Sequence, residues 1–177
     1  FAQNVLKPGV IERDNAQRFP AEEIKQLAEL GFMGMMVDPK YGGSGMDTLA
    51  YVLAMEEISK VDASTSVCMS VNNSLVCWGL ENFGTEEQKQ KYLVPLATGE
   101  KIGAFCLSEP EAGSDATSQR TTAFDQGDHY LLNGTKNWIT NGSSASVYLV
   151  IAQTNIELGH KGINAFIIER GMEGFIV

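Results

Sequence analysis

The chain has 177 residues, 44% hydrophobic and 20% charged, a balance that excludes a disordered or fibrous protein. That length allows one sizeable core or two small ones. Its 13 basic and 22 acidic residues leave a net charge of -9, so the average field repels nucleic-acid phosphates and anionic lipid.

An anionic ligand must then be held locally, by backbone amides or a few placed side chains. No apolar run reaches the roughly 18 residues that span a bilayer, and the opening residues do not read as a signal peptide. Neither nucleic acid nor membrane is therefore an expected partner. Cys68, Cys77 and Cys106 are odd in number, have no paired spacing and sit among apolar residues, so they read as buried, reduced thiols in a reducing compartment. Phe1 at the start and the apolar run ending at Val177 read as the ends of a fragment.

Residues 1–100 carry helical signals. Pro20, then Glu22 and Glu23, start a helix whose Ile24, Leu27, Ala28 and Leu30 fall at helical spacing before Gly31. Tyr41-Gly42-Gly43-Ser44-Gly45 breaks the chain, and Asp47 can cap a helix bearing Leu49, Val52, Leu53 and Ile58. Residues 64–82, apolar on most faces, suit a central buried helix, and Thr85 with Gln88 predicts a capping box. Met33, Met35 and Met36 read as core filling. The glycines at 42–45 do not follow a strand, as a dinucleotide-binding turn requires.

After Lys101 the period changes. Residues 102–107, 121–124, 129–132, 136–140, 147–153 and 163–169 predict short strands, and Asn133-Gly134 predicts a tight hairpin between the third and fourth. The expected fold is thus α+β: a helical domain over 1–100, then an antiparallel, barrel-like β domain over 101–177. His129 and His160 lack the partners of a metal site, so no metal is expected.

Two segments carry candidate chemistry. Phe105, Cys106, Leu107 and Ser108 end a strand, Pro110 turns the chain, and Gly113, Ser114 and Asp115 offer free amides and hydroxyls. This is either a capped surface turn or a loop that lets a ligand approach the backbone. If residues 136–140 form a strand, Trp138 and Thr140 share a face, where they either pack in a core or meet a flat heterocycle with polar edges. Glu109 and Glu111, beside a turn, read as solvated carboxylates.

Taken together, the run from Leu107-Ser108-Glu109-Pro110 to Gly113-Ser114-Asp115, and Lys136-Asn137-Trp138-Ile139-Thr140-Asn141-Gly142, resemble the acyl-CoA dehydrogenase family. Tyr41 to Gly45 and Glu86 to Leu93 match its pattern too, and Ser70 to Ser74 is similar to the short-chain, butyryl-CoA type. The resemblance implies FAD as cofactor, bound along Phe105, Cys106, Leu107, Ser108, Gly113, Ser114, Trp138, Ile139 and Thr140. It implies that Leu107 and Ser108 bond the flavin edge, that Ser114 also meets the CoA ester, that the Trp138 ring lies against the flavin, and that the Thr140 hydroxyl lies near flavin N5. The implied reaction converts a short-chain acyl-CoA to a trans-2-enoyl-CoA and passes electrons to an electron-transfer flavoprotein. In that family the glutamate base comes from a C-terminal four-helix domain, so no catalytic residue is assigned to this chain. A homotetramer in the bacterial cytoplasm or the mitochondrial matrix is also implied. An oxygen-reactive acyl-CoA oxidase and a non-catalytic binding module remain alternatives.

Overall fold

Helix-starting chemistry accounts for most of the first unit, Phe1–Gly103, of a computed structural model that describes residues 1–177. After a short α1 (Val10–Asn15), Pro20 stands at the cap of α2 (Ala21–Glu29), whose Ile24 and Leu27 are buried. The Asp47 side chain accepts from the Ala50 N–H at 2.8 Å to start α3 (Thr48–Ser59). Asp62 does the same for Thr65 at 3.0 Å, starting α4 (Ala63–Ser70). The chain stays helical through a π-helical stretch, Val71–Cys77, into α5 (Trp78–Phe83). Thr85 and Gln88 form the expected reciprocal capping box at α6 (Glu86–Gln88), and a second π-helical stretch leads to α7 (Val94–Ala97).

The core of this unit gathers Leu6, Leu27, Met33, Tyr51, Ile58 and Met69. Two adjacent asparagines bind it to its loops. Asn72 donates to the carbonyls of Met33 and Leu96 at 2.9 and 3.0 Å and accepts from the Gly103 N–H at 2.9 Å. Asn73 accepts from Met35 N–H at 2.7 Å and donates to Phe32 and Met69 carbonyls at 2.8 and 3.0 Å. Every strong donor and acceptor of both amides is used, so their burial costs little.

One expectation changes here. The central helix is buried on one side only, because Val67, Leu75 and Trp78 face outward. On α3, Leu49, Val52 and Leu53 are also exposed, while Tyr51 and Ile58 turn inward. Both helices are apolar on more of their circumference than this unit has elements to cover, which the helical spacing alone does not reveal.

The second unit, Ala104–Val177, is a five-stranded sheet that takes in Gly103: β1 (Gly103–Cys106), β2 (Thr122–Asp125), β3 (Tyr130–Asn133), β4 (Val147–Gln153) and β5 (Ile163–Glu169). Its order is β1-β4-β2-β3, with β5 also against β4. The β4–β5 ladder is antiparallel from Val147↔Glu169 to Gln153↔Ile163, and β2–β3 is antiparallel from Thr122↔Asn133 to Asp125↔Tyr130. β2 meets β4 in parallel at Thr122↔Gln153, so the sheet is mixed. Ala104, Cys106, Ala145, Tyr148 and Val150 form its core.

The Asn133-Gly134 hairpin and the strand over 136–140 are not formed. The tight turn falls earlier, between β2 and β3, where Gly127 sits at φ 96° and its N–H donates to Asp125 at 2.7 Å. The reason lies at long range: Lys136 and Asn137 bond to the end of β1 instead of pairing with β3. Gly134 packs so closely on Thr121 that a Cβ would overlap it.

All three cysteines are buried and free. Burial pushes the thiols of Cys68 and Cys106 up to about 11 and that of Cys77 still higher.

Candidate functional site

β1 delivers its C-terminal end to a bend. Phe105, Leu107 and Ser108 are half-buried and Cys106 is buried, beyond which Glu109 and Ala112 exchange backbone hydrogen bonds at 3.0 and 3.2 Å across Pro110 and Glu111. Gly113 and Ser114 then stand exposed, and Asp115 gathers the loop by accepting from the Thr117 N–H and from the hydroxyls of Thr117 and Ser118.

Glu109 is not solvated, contrary to the expectation from its place beside a turn. It is 6% exposed, and its carboxylate accepts from the N–H groups of Arg120 at 2.6 Å and Thr121 at 3.0 Å. Lys136 reaches it at 2.7 Å, and the same ammonium donates to the Leu107 carbonyl and the Gln119 side chain, each at 3.0 Å. Burial pushes the Glu109 carboxyl up, but the Lys136 ammonium and the Arg120 and Thr121 N–H donors outweigh it and hold it down to about 2. Glu111, by contrast, is exposed as expected.

The second segment joins the first at this point. The Asn137 N–H donates to the Ser108 carbonyl at 2.8 Å, so the backbone just before Trp138 is fixed to the backbone just after Leu107. Trp138 does not lie on a strand. Its φ is 58°, and its side chain stands 93% exposed, so the pleat does not set Trp138 and Thr140 on one face. A left-handed backbone costs roughly 1–2 kcal/mol at a non-glycine residue, and an exposed indole gains no packing to offset it. Ile139 and Thr140 are half-buried and lead into a turn in which the Gly142 N–H donates to the Ile139 carbonyl at 3.0 Å. Arg170 braces that turn, donating to the carbonyls of Ala145 at 2.7 Å and Ser143 at 2.8 Å and to the Tyr148 hydroxyl at 2.7 Å.

The outcome is a flat aromatic ring projecting from a doubly anchored backbone. The hydroxyls of Ser108, Ser114 and Thr140 take no part in the surrounding hydrogen-bond network. Such a platform suits a planar heterocycle with polar edges.

Comparison with known proteins places the chain in a family. Residues 1–100 match the family model "Acyl-CoA dehydrogenase, N-terminal domain", and residues 104–177 match "Acyl-CoA dehydrogenase, middle domain". The chain belongs to the acyl-CoA dehydrogenase family. It is 50% identical over 177 residues to a short-chain specific acyl-CoA dehydrogenase of Clostridium acetobutylicum, covering 100% of this chain and 47% of that one. The solved butyryl-CoA dehydrogenase of Megasphaera elsdenii superposes with a TM-score of 0.94 at 46% identity, covering 99% of this chain and 47% of that one. A Mycobacterium smegmatis glutaryl-CoA dehydrogenase solved in complex with FADH2 gives a TM-score of 0.93 at 38% identity, with 99% and 44% covered. The chain thus spans about half the length of the relatives it matches.

Within this acyl-CoA dehydrogenase chain, the sequence reading missed the Glu109–Lys136–Gln119 cluster. Both charged residues lie inside the two motif segments, but 27 residues separate them and no local pattern marks a lysine as buried.

Proposed function

We propose that the intact protein carrying this chain oxidises short-chain acyl-CoA thioesters to trans-2-enoyl-CoA, with FAD as cofactor and an electron-transfer flavoprotein as electron acceptor. The observation that carries this reading is Trp138, a fully presented ring held at a strained backbone angle between anchored segments. Strain persists where the surroundings over-determine it, and here it serves a surface with no packing role.

The residues fit a flavin. The ring offers stacking area, and the uncommitted hydroxyls of Ser108 and Thr140 offer bonds to a polar edge. When bound, FAD supplies the acceptor for the hydride that leaves the substrate β-carbon. Leu107 and Ser108 would hold its edge through backbone and hydroxyl groups, Ser114 would serve both the cofactor and the CoA ester, and the Thr140 hydroxyl would offer a further hydrogen bond. Phe105, Cys106, Gly113 and Ile139 line the same wall.

The α-proton needs a separate acceptor, and Glu109 is unsuited to it. Both its oxygens are occupied, and its proton affinity is held far below that of a base poised near neutral pH. The family resemblance implies a glutamate base from a C-terminal helical domain, and the 177 residues alone are expected to dehydrogenate no acyl-CoA. In the intact protein, assembled as a tetramer, anaerobic butyryl-CoA should bleach the oxidised flavin band, with kcat/KM higher than for palmitoyl-CoA. A purified protein that binds no FAD, or one faster on palmitoyl-CoA, would overturn the reading. Rapid reoxidation by oxygen after reduction would assign the chain to an oxidase instead.

A further inference from the structure

The loop between Glu109 and Thr121 leaves and re-enters the sheet at one charged knot. Glu109 stands where it departs, and Gln119, Arg120 and Thr121 stand where it returns; all four bond to the same carboxylate or ammonium. The side chains of Glu109 and Lys136 are 3% and 10% exposed, so the pair works in a poorly solvated setting where electrostatic attraction is strong. Lys136 has three ammonium protons and three acceptors, one of them the Leu107 carbonyl. It sits two residues before Trp138, and Asn137 between them is bonded to Ser108.

Lys136 therefore touches both segments of the proposed ligand wall without facing the ligand. Its own segment contains the Trp138 residue at φ 58°, which must be held against its intrinsic preference. The loop's own restraints are short-range, the Glu109–Ala112 backbone pair with Ala112 buried and the turn that Asp115 closes on Thr117 and Ser118, while Gly113, Ser114 and Asp115 are exposed and a Cβ at Gly113 would meet nothing within 4 Å.

We propose that the Glu109–Lys136 pair is a latch that fixes the 110–118 loop and the Trp138 segment in their ligand-ready arrangement before any cofactor arrives, with Lys136 as a positioning residue for the flavin. This rests on the flavin reading above, but the latch itself is a property of the chain without ligand. Breaking it frees the neck of one loop while leaving the cores intact. The opening is local, and the affinity lost is the ordering that FAD must then supply on binding.

The test compares the intact protein with Lys136→Met, Lys136→Arg and Glu109→Gln. Amide hydrogen exchange is read without FAD, and FAD binding is read from quenching of flavin fluorescence. Lys136→Met should speed exchange at 110–121 and at 137–140 by roughly tenfold or more, with β4 and β5 unchanged, and raise the FAD Kd by about tenfold. Lys136→Arg keeps the charge and several donors, and should recover most of both effects. Glu109→Gln keeps the shape and tests the charge alone if Lys136→Met does not fold. Exchange in the loop that is unchanged in both Lys136→Met and Glu109→Gln overturns the latch, as does exchange that rises evenly through β4 and β5. A wild-type protein that binds no FAD, combined with local loosening in Lys136→Met, overturns the flavin reading and supports the latch.

Discussion

In the helical unit the Arg13 guanidinium lies between Glu23 and Asp62, at 2.8 Å from each, and also donates to the Leu6 carbonyl at 2.8 Å. In the β unit the Lys136 ammonium lies between Glu109, Gln119 and the Leu107 carbonyl. The two clusters differ in completeness. Arg13 faces two carboxylates, and its Nε and Glu23 Oε2 are buried without a partner, whereas all three Lys136 protons are placed. They differ also in what they join. Arg13 ties together α1, α2 and the start of α4, elements that must all be in place for that core to exist. Lys136 ties the two ends of a single loop. Similar chemistry thus serves global stability in one unit and local order in the other.

The largest expected effect breaks the first cluster. Arg13→Met should cost roughly 3–5 kcal/mol in urea unfolding, because two buried carboxylates lose their counter-charge. FAD affinity per folded molecule should stay unchanged; a matching loss of affinity would erase the distinction between the clusters.

Acid should sharpen the comparison next. The Glu109 carboxyl is held at about 2 when folded against an ordinary 4.5. Its folded value lies below its unfolded value, so its stabilisation is complete above the unfolded value and is lost as pH falls through the folded one. The urea midpoints of wild type and Glu109→Gln should therefore hold a constant gap above about pH 5 and converge on acidification from there toward about pH 2. A gap that stays constant throughout would mean that shape, and not charge, makes the knot.

Smaller effects belong to the ligand wall. Trp138→Ala should raise the FAD Kd about tenfold while changing stability by no more than about 0.5 kcal/mol, since the ring is exposed. Trp138→Gly should be as weak a binder and no less stable than the alanine variant, because glycine accepts the positive φ. An appreciable loss of stability in either would show the ring to be packed. Smallest of all, Thr140→Val should slow flavin reduction by roughly two- to tenfold, the worth of one hydrogen bond, as read by anaerobic stopped flow.

Local signals in the sequence were read well where the structure answers to local physics. β4 and β5 have the expected bounds, because each is rich in β-branched and aromatic residues with turn residues on both sides. The capping box at Thr85 and the cap at Asp47 depend on three or four residues alone. What failed was set at long range. Residues 136–140 have strand-forming composition, yet Lys136 reaches the Leu107 carbonyl and draws the segment off the sheet. Glu109 reads as solvated until its partners 11 to 27 residues away are brought in. Motif wording points to candidate site residues but not to their geometry: strand-like composition stands where a left-handed kink presents Trp138.

The three cysteines divide between the units, Cys68 and Cys77 in the first and Cys106 in the second. Only the thiolate reacts with an alkylating reagent, and a group held at about 11 is ionised in roughly one molecule in a thousand near pH 8. Native thiols should accordingly be silent, and each becomes reactive when its surroundings open. Pulsed alkylation followed by peptide mass analysis would then time the exposure of each unit separately, with Cys106 reporting from the strand that leads into Ser108. The wild-type sequence carries its own clock for the order in which its parts come undone.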